Sequence, residues 1–497
     1  MIYRTFTPVP PPGVSKWRMT ALLIALTFAS TLFTLYQTGK DAWRYPGTDL
    51  RDKVIGARRL LEGKNPYYKP WQQFEPEHVR MFTRNTYTPP LLALYAPLCE
   101  LPYKIQRIFY AALDWVEVLL CALVLWRVFP DLKRSLLLSC AFLLLTVPNF
   151  SFLLHVERGQ YYVLILLLST VAAVCVLRSR FPGVAVGCIC LLVLIRPTFL
   201  ITLACLFLLG QRRLVAKCSL IIAAVIVALL PVITPKVWGS YFESMGEAQA
   251  FELTAVDRFP LYMAPFQALG SHVADGLDFD KVKDDLWYHA DRCVVVSTYR
   301  GELAWRIRKL GLTGSRIVNK LNLTLLLLTS LALCSLAAYW NRRPVSPTAQ
   351  LALVFSAPTI IETFGPQRNC YCDVTVCCSV MLVLIGIMTR KRWRFESAIL
   401  ACAFILSVVF PLFELVAPGV FPKRAHGWIA DLRWLVLLGG VVAYMLLQLP
   451  TKIHSIRLFT LMHSNALAWI GKSAAITDHE RKQLAGVPVT RHIAPRI

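Results

Sequence analysis

The chain has 497 residues, 56% of them hydrophobic and 16% charged, and its mean hydropathy is +0.53. That balance excludes a water-soluble enzyme and predicts an all-α polytopic membrane protein. The net charge of +24 does not point to nucleic acid, because the Lys and Arg are spread over short loops and form no single basic domain.

Apolar runs of roughly 16–25 residues mark the spans. The first covers residues 19–36. No small-residue cleavage site precedes the polar loop after it, so it reads as a span and not as a cleaved signal. A polar loop follows at 37–87, then a short Pro-punctuated run at 88–99 that predicts a half-inserted helix. Spans are expected at 105–128, 136–154 and 161–177. The run at 181–210 has Arg178 and Arg180 before it and Arg212, Arg213 and Lys217 after it. Both its ends therefore belong on the cytoplasmic side. About 30 residues cannot cross a bilayer twice at roughly 1.5 Å per residue, so a hairpin broken near Ile195-Arg196-Pro197 is predicted. Further spans are expected at 219–232, 321–340, 351–364, 376–388, 399–415 and 432–449. The total is a bundle of about 11–13 helices. Residues 1–450 read as one transmembrane catalytic domain, with outer loops at 37–87 and 235–318, and 451–497 as a basic cytoplasmic tail.

The positive-inside rule gives a single consistent topology. Both termini are cytoplasmic, in the plasma membrane, and the outer face collects the polar clusters. In the first outer loop Asp49 starts a helix in which Leu50, Val54, Ala57 and Leu61 recur at helical spacing, opposite Arg51, Lys53, Arg58 and Arg59. This predicts an amphipathic helix lying in the membrane interface. Asp49 and Asp52 suit N-terminal capping; the same position also exposes a carboxylate at headgroup level, which makes Asp49 the candidate catalytic group and Asp52 the alternative.

The run His155-Val156-Glu157-Arg158-Gly159-Gln160 lies between two spans. Polar side chains at that depth face a cavity or pair with one another. Arg158 suits a phosphate, and His155, Glu157 and Gln160 a substrate. Arg196 sits in an apolar run, where isolated burial costs at least ~2.5 kcal/mol; it reads as a phosphate ligand, with pairing to a distant carboxylate as the other outcome. The turn containing Gln367, Arg368 and Asn369 offers another phosphate-binding cation beside two amides. The fifteen Cys lie mostly in apolar runs and read as small hydrophobes, not metal ligands. Five Asp between 275 and 285 do not have EF-hand spacing and read as a solvated face.

These residues resemble glycosyltransferase family 87 of the GT-C superfamily. The resemblance rests on four elements. The first is Asp49-Leu50 followed by Gly56-Ala57-Arg58 and Leu60-Leu61-Glu62-Gly63-Lys64-Asn65-Pro66-Tyr67. The others are Tyr87-Thr88-Pro89-Pro90, Gly159-Gln160 before a span, and Arg196-Pro197, where Lys is more usual. Asp52 and Lys53 depart from positions that are often apolar or aromatic in that family. The resemblance implies a GT-C-like fold and an inverting transfer of a sugar, often mannose, from a polyprenyl monophosphate. The acceptor would be lipid-linked or a cell-envelope glycan. Asp49 would be general base, Arg158, Arg196 and Arg368 would meet the phosphate, and Tyr87 would join the substrate site. The reaction needs no cofactor or metal, although Asp49 with Glu157 could recruit a divalent cation. A transporter or flippase is the competing reading; it predicts repeat symmetry, and none is evident.

Overall fold

The first helix, α1 (Val14–Arg44), ends shortly before a glycine. Gly47, at φ +67°, turns the chain into α2 (Thr48–Leu61). The computed structural model describes residues 14–44, 47–67, 86–245, 315–362, 370–389, 423–446 and 448. After α2 come α3 (Pro89–Tyr95), α4 (Tyr103–Trp126), α5 (Leu132–Thr146), α6 (Phe150–Arg158) and α7 (Tyr162–Arg178). The run expected to form a hairpin is two short helices, α8 (Pro182–Ile195) and α9 (Leu200–Leu208), separated at Arg196-Pro197. Then follow α10 (Arg212–Leu229), a helical stretch at 235–245, α11 (Ser315–Asn341) and α12 (Pro347–Glu362). The last two are α13 (Val376–Met388) and α14 (Lys423–Leu446). All regular structure among the described residues is helical, as an all-α polytopic membrane protein requires.

Three of the described helices are long and apolar enough to cross a bilayer alone: Thr20–Trp43, Tyr103–Trp126 and Leu323–Asn341. Shorter apolar helices of 10–17 residues, Tyr162–Arg178 and Pro182–Ile195 among them, accompany these three among the described residues; the expected span at 399–415 lies outside those residues. One expected span, at 136–154, is two helices, α5 and α6, bent by 65°. Pro148 lies in the break; Val147 before it stays helical, and the chain turns extended at Asn149, φ −125°, which caps α6. The run at 181–210 breaks at Arg196-Pro197, where the proline disfavours helical geometry in the residue before it. Arg196 is extended, at φ −141°, ahead of Pro197, and α8 ends there. Large apolar side chains such as Phe28, Leu119, Leu123, Leu327 and Leu331 face outward, where lipid solvates them.

Lipid gives helices little hydrophobic reason to associate, so side-chain hydrogen bonds and small residues join them. Trp115 Nε1 donates to Thr38 Oγ1 at 2.9 Å, tying α4 to α1. Ser139 Oγ donates to the Ala122 carbonyl at 2.9 Å, tying α5 to α4. Gly386 leaves room for Tyr444, since a Cβ there would lie 1.9 Å from its hydroxyl. The buried cysteines, Cys188, Cys190 and Cys205 among them, are free.

Arg178 Nη2 donates to the Val128 carbonyl at 3.1 Å, and a Cβ on Gly210 would touch Asn341; these belong to the loops expected on the cytoplasmic side. At the other end, Thr88 Oγ1 donates to the Ile195 carbonyl at 3.0 Å. The tail at 451–497, the acidic stretch at 275–285 and the turn carrying Gln367, Arg368 and Asn369 lie outside the described residues.

Candidate functional site

Helix α2 differs from the interfacial helix expected of it. Asp49, Leu50, Val54 and Ala57 are buried, but so is Lys53, at 0% exposed, whereas Leu61 is exposed. Lys53 is turned into the protein against tyrosine rings, while Arg58 and Arg59 on the same polar face stay part-exposed. The helix ends in a Schellman turn. Lys64 N–H donates to the Arg59 carbonyl at 2.8 Å and Gly63 N–H to the Leu60 carbonyl at 3.2 Å, with Gly63 left-handed at φ +69°. Asn65 Oδ1 then accepts from Tyr67 N–H at 3.0 Å, which sets the Asn-Pro-Tyr turn. The Tyr67 hydroxyl donates to the Tyr87 carbonyl at 2.6 Å, and burial, aided by Tyr241, holds that phenol well above the usual tyrosine range.

Asp49 does not cap its helix. The N-cap is Gly47, with no side-chain cap bond, and Asp49 occupies the first turn. Its carboxylate is 0% exposed and is gripped from outside the helix. Arg158 reaches it with both arms: Nε donates to Oδ2, and Nη2 donates to Oδ1 at 3.0 Å. Gln160 Nε2 donates to Oδ2 at 2.6 Å and lies 3.4 Å from the Tyr87 hydroxyl. Four residues read separately from the sequence, Asp49, Tyr87, Arg158 and Gln160, thus form one cluster.

Three local devices create it. Gly159 ends α6 in the left-handed region at φ +66°, and a Cβ there would fall 2.5 Å from Leu50 Cβ; the missing side chain is where α2 sits. Arg107 Nη2 donates to the Val156 carbonyl at 2.6 Å and the Glu157 carbonyl at 3.0 Å, a favourable cation at a helix C-terminus. Its guanidinium also lies against Gly47, whose carbonyl accepts from the Tyr103 hydroxyl at 3.0 Å. One end of α4 therefore clamps both the start of α2 and the end of α6. Tyr103 and Arg107 lie beyond the residues expected at the site; Arg107 stands among Lys104 and Gln106 at the start of α4, where its sequence gives no signal like that of Arg196 in its apolar run. Gly159→Ala is expected to cost roughly 1–3 kcal/mol through backbone strain and to lower activity by moving Leu50 and Asp49. Thermal unfolding in detergent checks the first effect and turnover the second; an alanine variant equal to wild type in both would remove Gly159 as the seat of α2.

Beside this cluster lies a second. Arg196 donates to Glu362 through Nε, to the Tyr161 hydroxyl at 2.9 Å and to the Tyr162 hydroxyl. Thr198 Oγ1 donates to the same Glu362 oxygen at 2.6 Å. The distant carboxylate that the sequence left unseen is Glu362. Tyr87 and Tyr161 meet edge to face, 5.9 Å between centroids, so the two clusters are contiguous. Thr88, which caps α3 by accepting from Leu91 N–H at 3.3 Å, pins Tyr87 to the end of α8 through its bond to Ile195.

The other expected residues fall elsewhere. His155 meets the second cluster only edge to face, at the Tyr162 ring, and turns its Nε2 to α4. It is fully buried, with Nε2 3.1 Å from Asp114 Oδ1 and its ring against Phe152 and Tyr162, so it ties α6 to α4. Glu157 is half-buried, and its carbonyl is held by Arg107. Asp52 is 5% exposed, one turn beyond Asp49 on α2. Among the described residues no three His, Cys, Asp or Glu side chains gather as a metal site.

A sequence model of glycosyltransferase family 87 matches residues 85–277. No curated protein matches the chain. The matched stretch contains Tyr87, Arg158, Gln160 and Arg196; Asp49 precedes it and joins it through the bonds from Arg158 and Gln160.

Proposed function

Taking the chain as a membrane glycosyltransferase on its family 87 match, we propose that it moves a hexose, mannose foremost, from a polyprenyl monophosphate to a lipid-linked or cell-envelope glycan acceptor. The reaction runs on the outer face of the plasma membrane. The observation that carries this reading is the buried Asp49 carboxylate held by Arg158 and Gln160, both inside the matched stretch. A carboxylate beside cations at a membrane edge suits a reaction that needs one base and a charged leaving group.

The acceptor hydroxyl attacks the anomeric carbon as the bond from that carbon to the phosphate oxygen breaks. Asp49 takes the hydroxyl proton, and the bond electrons leave with the polyprenyl phosphate. Arg158 meets the growing phosphate charge, with Arg196 behind Tyr161 and Arg368 as the further cations. Gln160 and Tyr87 orient the sugar. Attack opposite the leaving group inverts the anomeric centre, and a single carboxylate suffices, unlike the pair in a glycosidase.

The test uses the full chain in lipid nanodiscs with a synthetic polyprenyl-phosphate hexose and an acceptor glycan. The expected result is acceptor-dependent release of polyprenyl phosphate. Movement of donor across a bilayer without cleavage would favour a flippase and sink the reading.

A further inference from the structure

Lys53 is the cation that neither composition nor the family resemblance brings to this site. It is 0% exposed and stands one helical turn after Asp49, a spacing that puts the two side chains on one face of α2. Its ammonium lies 4.4 Å from the centre of the Tyr87 ring, 5.6 Å from Tyr95 and 5.7 Å from Tyr161. Two of those tyrosines bridge the clusters described above: Tyr87 is beside Gln160, which holds Asp49, and Tyr161 accepts from Arg196. Lys53 therefore sits between the two arginines, which each face a carboxylate, Asp49 for Arg158 and Glu362 for Arg196. Aromatic faces attract an ammonium and place this one at the junction of the clusters.

We propose that Lys53 is a donor-phosphate ligand, contacting the lipid phosphate as it leaves. A compact ammonium with three donors on a flexible stem suits a phosphate whose charge grows during the reaction. The assignment rests on the function proposed above and adds a cation that would meet the donor's phosphodiester and the monoester left when the sugar departs.

The experiment measures binding of dodecyl phosphate to the full chain in maltoside micelles, by tryptophan fluorescence, for wild type, Lys53→Met, Lys53→Arg and Lys64→Met. Methionine keeps the volume and removes the charge. Lys64 is an exposed lysine just beyond the same helix, paired with Glu62 at 2.7 Å, and controls for general charge. The expected result is saturable binding by wild type, weakened at least about tenfold in Lys53→Met, as loss of a charged hydrogen bond implies. Lys53→Arg retains most of the affinity and Lys64→Met all of it. If wild type binds and Lys53→Met binds equally while unfolding at a lower temperature, Lys53 is a packing residue and the proposal is overturned. If Lys64→Met weakens binding as much, the effect is general electrostatics and the proposal again falls. If wild type binds no dodecyl phosphate, Lys53 has no lipid-phosphate site to serve and the proposal is overturned, while turnover of the polyprenyl-phosphate hexose tests the donor separately. Should Lys53→Met not fold, Lys53→Gln is read on the same scale.

Discussion

Asp49→Asn is expected to lower turnover of a polyprenyl-phosphate hexose by about 10²–10⁴-fold, the usual contribution of a positioned general base. Asparagine keeps an oxygen for Arg158 and removes the proton acceptor. Because the carboxylate is buried against Arg158, the change also leaves a cation without its counter-charge, which in a buried pair costs up to about 3–5 kcal/mol. Folding and catalysis must therefore be separated. Monodispersity and thermal unfolding in detergent report the first, and turnover at saturating donor the second. Asp49→Glu keeps the charge and the pair with Arg158 but moves the carboxylate by one methylene, so it should remain folded and still lose most activity. Asp52→Asn should retain far more activity than Asp49→Asn. The reverse order would pass the role of base to Asp52.

The second large effect belongs to the Arg196–Glu362 pair. Their side chains are 16% and 10% exposed, and the pair links α8 to α12 across 166 residues of sequence. Glu362→Gln or Arg196→Met alone is expected to destabilise by about 3–5 kcal/mol, because each leaves the other charge buried. The double change Arg196→Met, Glu362→Met should recover most of that loss, since two apolar side chains can replace a buried pair at little cost. A double-mutant cycle on unfolding temperature measures the coupling. Donor affinity in the double variant then separates two roles. If Arg196 serves only the pair, affinity returns with stability; if it also meets the donor phosphate, affinity stays low in a stable protein. Additive single effects would mean that the pair contributes nothing.

Much of the site could be read in the sequence because its residues are out of place there. An Arg in an apolar run, a carboxylate at a helix start and a Gly-Gln pair before a span each break the local pattern, and such breaks mark buried polar groups. The charge rule placed their loops on one side, and the bonds from Arg158 and Gln160 to Asp49 place them in one cluster. What escaped depended on tertiary pairing. Glu362 ends a helix whose side chains are otherwise mostly apolar or small, and nothing local tied it to Arg196. Lys53 looked like part of a solvent face because helical periodicity records polarity and not burial; here that one side chain turns inward onto tyrosines. His155 shared a motif with Arg158 and Gln160 but lies on another side of α6, where Asp114 takes it. The fold was legible as helices and as the break at Arg196-Pro197. It was less so as spans, because a break around Pro148 divides one apolar run into two helices at 65°.

The account stands or falls on sugar leaving a lipid phosphate. The measurement that tests it most directly is turnover of a polyprenyl-phosphate hexose of known anomeric configuration by the full chain in nanodiscs, with the products followed by NMR. The account predicts glycoside and polyprenyl phosphate in equal amounts, with the anomeric centre inverted and the signal lost in Asp49→Asn. Glycoside formed with retained configuration, or at the same rate in Asp49→Asn, would contradict it.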